Sequence, residues 1–151
     1  MKILHTSDWH LGKTVHEYSL IPEQKKMIHE FLSIQKQKNY DAWIIAGDVF
    51  DRSVPAVDAV ALWEYFLVEF SKNNIPLFVI SGNHDSAERL GFGRKFFASK
   101  NIYFGTDPLD YQPIKHKDVW FYFMPYLHPG TTSDSSKAVS YTHLRAHETR
   151  I

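Results

Sequence analysis

The sequence predicts an α/β layered fold around a parallel sheet, and two observations predict it. Short apolar runs alternate with amphipathic helical stretches along the chain, and each of the first three runs ends in a polar cluster. Strand–helix–strand alternation calls for parallel strands joined by right-handed crossovers, with helices covering the sheet.

The elements follow in order. Ile3-Leu4 opens a first buried strand. Pro22 takes the first position of a helix whose Met27, Ile28, Phe31 and Leu32 form one apolar stripe. Ala42-Trp43-Ile44-Ile45-Ala46 reads as a second strand, apolar on both faces as a buried parallel strand is. Pro55 opens a second helical stretch, where Val60, Trp63, Leu67 and Phe70 recur at helical spacing. Pro76-Leu77-Phe78-Val79-Ile80 is the third strand. A short helical stretch around Arg94–Phe97 leads to Ile102-Tyr103-Phe104. Val119–Met124 is apolar on both faces and reads as an interior strand, yet it lacks neighbours here and is expected to expose apolar surface. No internal repeat is visible.

Composition narrows the function classes. With 151 residues, 44% hydrophobic and 15% aromatic, the chain can build one domain with a core. A formal net charge of +0 gives no overall basic footprint for nucleic acid, although a local patch remains compatible with it. The absence of cysteine excludes disulfides, thiolate metal sites and cysteine nucleophiles. No leader-like N-terminus or membrane-length apolar run is present, so a cytoplasmic protein without membrane attachment is expected. The domain is expected over residues 1–130. Residues 131–151 are expected to be a linker-like segment and a non-native tail, because AVSYTHLRAHETRI lacks apolar periodicity and resembles translated adapter DNA.

The polar clusters carry the chemistry. They are Asp8-Trp9-His10, Gly47-Asp48-Val49-Phe50-Asp51 and Gly82-Asn83-His84-Asp85, spaced by about one strand-plus-helix unit each. The carboxyl ends of parallel strands lie side by side and form the ligand crevice, so the clusters should converge. Asp8 and His10, two apart in an extended segment, would point the same way and share one ion. Asp48 has two oxygens and could bridge two ions, while Asn83 offers a neutral carbonyl oxygen. Mixed nitrogen and oxygen ligands without sulfur suit manganese, iron or zinc better than a calcium cage. Two such ions make a phosphoester site. His84 could protonate the leaving oxygen or stabilise the charged phosphorane, with Asp85 orienting its ring. Taken singly, each motif is equally a loop or turn; three together, each directly after an apolar strand, point to a metal site. Asp51 divides between supporting a ligand and capping a helix. Trp9 is expected to pack, and His5 to be packed within its strand. His16, His29, His116 and His128 have no convergent partners, and His143 and His147 fall in the tail.

The stretches ILHTSDWHLGK, AGDVFDRSVP and SGNHDS resemble the exonuclease SbcD family, within the calcineurin-like metallophosphoesterase superfamily. The D-x-H, G-D-x-x-D and G-N-H-[DE] pattern marks the superfamily, and Thr6–Gly12 with Pro125-Tyr126 narrows it toward SbcD. The resemblance implies the N-terminal half of a metallophosphoesterase β-sandwich flanked by helices, an incomplete domain. It implies a manganese-dependent double-strand 3'-5' exonuclease and single-strand endonuclease acting at DNA ends and hairpins in repair, recombination and replication. It also implies an SbcC-like coiled-coil ATPase partner and a homodimer formed through helices beside the active-site face. Residue by residue, Asp8 and His10 carry over as ligands of the first metal, Asp48 as the bridge, Asn83 as a ligand of the second, and His84 as the catalytic histidine.

The sequence departs from the family where its later Gly-His and Gly-His-x-His motifs are expected, since neither occurs. The expectation is therefore an N-terminal fragment that is inactive alone. A protein phosphatase or small phosphodiesterase is the alternative enzyme, because GDVFDRS also fits a phosphatase-like pattern. Lys13, Arg52, Arg89, Arg94 and Lys95 are candidate phosphate contacts or ordinary solvated surface.

Overall fold

Residue period, rather than overall composition, decides which way each strand faces. The computed structural model describes residues 1–107 and 112–127. Its elements run β1 (Ile3–Thr6), β2 (Thr14–Val15), β3 (Tyr18–Ser19), α1 (Ile21–Lys38), β4 (Ala42–Ala46), α2 (Val57–Ser71), β5 (Leu77–Ile80), α3 (Ala87–Leu90), α4 (Arg94–Ala98), β6 (Ile102–Gly105), β7 (Ile114–His116) and β8 (Val119–Phe121). The main sheet is parallel in the order β1-β4-β5-β6. Its register aligns Trp43 with Leu77 and Leu77 with Ile102, and one pleat further on Ile45 with Val79 and Val79 with Phe104. Alternate residues of a strand share a face, so these six side chains form one apolar surface. They join the core with Ile28 and Leu32 of α1 and Leu62, Trp63, Phe66, Leu67 and Phe70 of α2.

On the opposite face the β7–β8 hairpin covers Phe78, while His5 of the same register row stays exposed. Phe78, from the intervening register row, stacks on Phe121 with centroids 4.0 Å apart and planes at 16°, and lies 5.6 Å from Tyr103. The expected α/β layering is therefore present, with helices on one face and an antiparallel ribbon on the other.

Three expectations need correction. β1 is not a buried strand: it is the edge of the four-stranded sheet and alternates between exposed and half-buried residues, so His5 is exposed rather than packed. Val119–Met124 is not an interior strand. Only Val119–Phe121 pairs, with β7, and Trp120, Tyr122 and Met124 stand in solvent; the expected apolar exposure is observed. In α2 the buried stripe is Ala59, Leu62, Trp63, Phe66, Leu67 and Phe70, and Val60 points outward. Helix α1 starts as expected, with proline in its first turn. The boundary at residue 130, the segment 131–151 and His128, His143 and His147 lie outside the described residues. No helix among the described residues is long and apolar enough to cross a membrane.

Candidate metal centre

Two loops leaving adjacent strands are laced together before any side chain takes part. Asp8 N–H donates to the Gly47 carbonyl (3.1 Å), His10 N–H to Asp48 (3.0 Å), Leu11 N–H to Val49 (2.9 Å), and Asp51 N–H returns to Leu11 (3.1 Å). This lacing bends the chain out of strand geometry. Asp8, His10 and Asp48 all hold positive φ, at 57°, 44° and 52°. The expectation that Asp8 and His10 share a direction because they are extended is thus corrected: they converge because both are left-handed. Such backbone costs of order 1 kcal/mol or more per non-glycine residue and persists only where its surroundings over-determine it.

The resulting cluster is tight. His10, Asp48 and His84 each offer one ligand atom, and all three atoms lie within 4.8 Å of one another. His10 Nε2 is 3.8 Å from Asp8 Oδ1 and 3.9 Å from Asp48 Oδ2. Asp8 is exposed and accepts a hydrogen bond from the Ser7 hydroxyl. Asn83 is exposed on the same loop as His84, and its side chain makes no hydrogen bond among the described residues.

Asp51 faces both imidazoles and is not a helix cap, since Ala56 occupies that place. Its carboxylate lies 3.4 Å from His10 Nδ1, close enough to pair electrostatically but outside hydrogen-bond alignment, and that nitrogen is buried without another partner. Its backbone carbonyl is 2.8 Å from His84 Nδ1. A carbonyl only accepts, which assigns the His84 proton to Nδ1 and leaves Nε2 with a lone pair.

Asp85 has a different role from the one expected. Its carboxylate accepts N–H bonds from Val49 (3.2 Å), Phe50 (2.9 Å) and Gly82 (2.9 Å), not from the His84 ring. It fastens the loop after β5 to the loop after β4. Burial pushes its carboxyl above the ordinary value, the three N–H donors pull the other way, and the Asp48 charge adds to the rise. Asp48 performs the reciprocal fastening, accepting His84 N–H at 3.0 Å.

Glycine makes the approach sterically feasible. A Cβ on Gly82 would lie 2.1 Å from Asp48 Oδ1 and 2.4 Å from its nitrogen, and one on Gly47 would lie 2.9 Å from Gly82 Cα. Trp9 packs as expected, 4% exposed, with its ring 4.8 Å from Phe66 and 5.5 Å from Phe31. Of the basic candidates, Arg52 is exposed beside Asp51, Arg89 donates to the Ser53 carbonyl (3.1 Å), Arg94 pairs with Asp107 (3.9 Å), and Lys13 and Lys95 are exposed.

The donor set fits a divalent cation. Atoms bound to one ion at roughly 2.0–2.2 Å lie about 3–4 Å from each other, which is the spacing of His10 Nε2 to both carboxylates. With its proton on Nδ1, His10 would present an Nε2 lone pair beside two anionic oxygens, a trio that repels unless a cation lies between its members. Nitrogen and oxygen donors without sulfur match manganese, iron or zinc.

Sequence reasoning missed Gln24. Its amide reaches the backbone of Trp9, His10 and Gly12 from α1. The available signal was spacing: Gln24 and Gln35 fall on the same helical stripe as buried Ile28 and Leu32.

Comparison with known proteins adds two findings. The family model for calcineurin-like phosphoesterases matches residues 1–147. The SbcD subunit of nuclease SbcCD from Staphylococcus saprophyticus subsp. saprophyticus is 41% identical over 128 residues, which is 83% of this chain and 34% of that protein. The chain therefore spans about a third of the length of this curated relative.

Proposed function

The chain belongs to the calcineurin-like phosphoesterase family, and from that premise we propose that it carries the N-terminal metal-binding part of an SbcD-like DNA nuclease. One observation carries the reading: His10, Asp48 and His84, from the ends of three adjacent parallel strands, present ligand atoms within 4.8 Å of one another.

Asp8, His10, Asp48 and Asn83 would hold two divalent cations, manganese in this reading. Bound there, the cations would supply Lewis acidity and an acidified water as nucleophile. The chain's own residues do the rest. Asp51 orients both imidazoles, and Asp85 and Asp48 keep the loops in register. His84 holds its ring proton on Nδ1 against the Asp51 carbonyl. Its Nε2 is then the atom that takes up a proton and delivers it to the leaving oxygen of a phosphodiester.

The substrate proposed is duplex DNA ends and hairpins, cleaved as a 3'-5' exonuclease and single-strand endonuclease in repair, recombination and replication, in the cytoplasm. The similarity to a component of SbcCD supports an SbcC-like coiled-coil ATPase as partner. A homodimer through α2 and α3–α4 is supported by a groove of about 910 Å³ between them, lined by Phe92 and Phe96 at 83% and 67% exposure. The activity is proposed for the longer protein. The described residues offer few ligands for two ions, so the chain alone is proposed to bind metal without turnover.

The test is hydrolysis by the full-length enzyme with Mn²⁺, offered linear duplex DNA, bis(p-nitrophenyl) phosphate and a phosphomonoester side by side. Duplex DNA should be degraded and Asp48→Ala should abolish it. Intact duplex DNA with rapid monoester hydrolysis would instead identify a phosphatase.

A further inference from the structure

His10 sits at φ 44°, and the residues around it must hold that conformation. On one side its N–H donates to Asp48. On the other side its carbonyl accepts 2.7 Å from Gln24 Nε2, which also donates to the Trp9 carbonyl at 3.2 Å, while Gln24 Oε1 accepts Gly12 N–H at 3.0 Å. Reversing the amide would set its oxygen against two carbonyl oxygens, so only this orientation bonds all three groups. Gln24 is 7% exposed, and an amide buried without partners would be costly. The side chain spans the whole turn that carries His10, from the residue before it to the second residue after it.

We infer that Gln24 is a positioning residue for the metal centre, clamping the His10 peptide so that Nε2 faces Asp8 and Asp48. The inference rests on the metal-binding reading above. Gln35 supplies an internal control. It lies on the same stripe of α1, is equally buried, and bonds Trp43 Nε1 (2.6 Å) and the Tyr40 carbonyl (3.3 Å), away from the site.

The experiment is calorimetric Mn²⁺ titration of the full chain, with thermal unfolding of each variant measured metal-free. Gln24→Leu should weaken Mn²⁺ binding by about tenfold or more, as loss of a ligand-orienting partner does. Gln24→Glu keeps the acceptor for Gly12 but turns an oxygen toward two carbonyls, and should weaken binding as well. Gln35→Leu should lower the unfolding temperature and bind Mn²⁺ as the parent does. Parental affinity in both Gln24 variants, or equal weakening in Gln35→Leu, would overturn the inference. If Gln24→Leu does not fold, Gln24→Glu carries the test; if neither folds, Gln24 serves folding alone and the inference fails. A parent chain that binds no Mn²⁺ removes the metal reading itself, a distinct result that takes the inference with it.

Discussion

The imidazoles of His10 and His84 meet edge to face, with ring centroids 4.7 Å apart and planes at 89°. They come from loops after different strands, and a single residue stands behind both. Asp51 offers its carboxylate to His10 Nδ1 and its carbonyl to His84 Nδ1. Backbone and side chain of one position therefore set two rings.

This division separates two effects by mutation. Asp51→Ala removes the carboxylate and leaves the carbonyl in place. Mn²⁺ affinity should fall by about 10–100-fold through His10, while the ring-nitrogen NMR shifts that report the His84 tautomer stay close to those of the parent, because the Asp51 carbonyl at His84 Nδ1 is untouched. An unchanged Mn²⁺ affinity would show that the 3.4 Å approach to His10 does not orient the ring.

Gly82→Ala tests the packing of the same loops. The new Cβ would fall 2.1 Å from Asp48 Oδ1 and 2.4 Å from its backbone nitrogen. Neither atom is the free end of a flexible chain, because the Asp48 carboxylate is held by His84 N–H. Overpacking of this kind costs about 1–3 kcal/mol. Chemical denaturation should show that loss, and calorimetry should show Mn²⁺ binding weakened with it. A variant that keeps both properties would mean that the two loops can separate without disturbing the site.

Much of this arrangement was legible in the sequence. Ala42–Ala46 reads as a strand and is one, and β1, β4 and β5 each deliver a polar cluster to the same edge because parallel strands end side by side. Left-handed backbone at Asp8, His10 and Asp48 was not legible, since it arises from hydrogen bonds between loops far apart in sequence. The same limit hid the work of Asp85. Adjacency to His84 suggested that it steers the ring, but two of its three partners are N–H groups some 35 residues away. Gln24 was visible only as a polar residue on an apolar stripe, a pattern that marks burial without naming what is bonded.

Asp85 also predicts a pH dependence. Asp85→Ala would strand three buried N–H donors and should cost about 2–4 kcal/mol. The carboxyl is raised above its ordinary value in the fold, mainly by burial. The folded state then binds this proton more tightly than the unfolded state. Stability attributable to this group should rise as pH falls through the raised value and level off below about pH 4. Comparing denaturation curves of the parent and Asp85→Asn across that range isolates the effect, because the amide does not titrate. Parallel curves would mean that Asp85 carries no raised affinity for its proton.

The β7–β8 ribbon makes the last prediction, through the two faces of one strand. Phe121 stacks on Phe78, which is 3% exposed, whereas its neighbour Trp120 is 53% exposed and carries a cation–π contact from Lys115 Nζ, 5.6 Å from its ring centroid. Strand alternation puts these residues on opposite sides. Phe121→Ala removes an aromatic pair and uncovers Phe78, and should cost about 1–3 kcal/mol. Trp120→Ala should change stability by no more than about 0.5 kcal/mol, since an exposed cation–π contact of this kind contributes little. Urea denaturation of both variants measures the contrast. Equal losses would mean that Trp120 is covered in solution and that the ribbon's outer face is packed against something other than water.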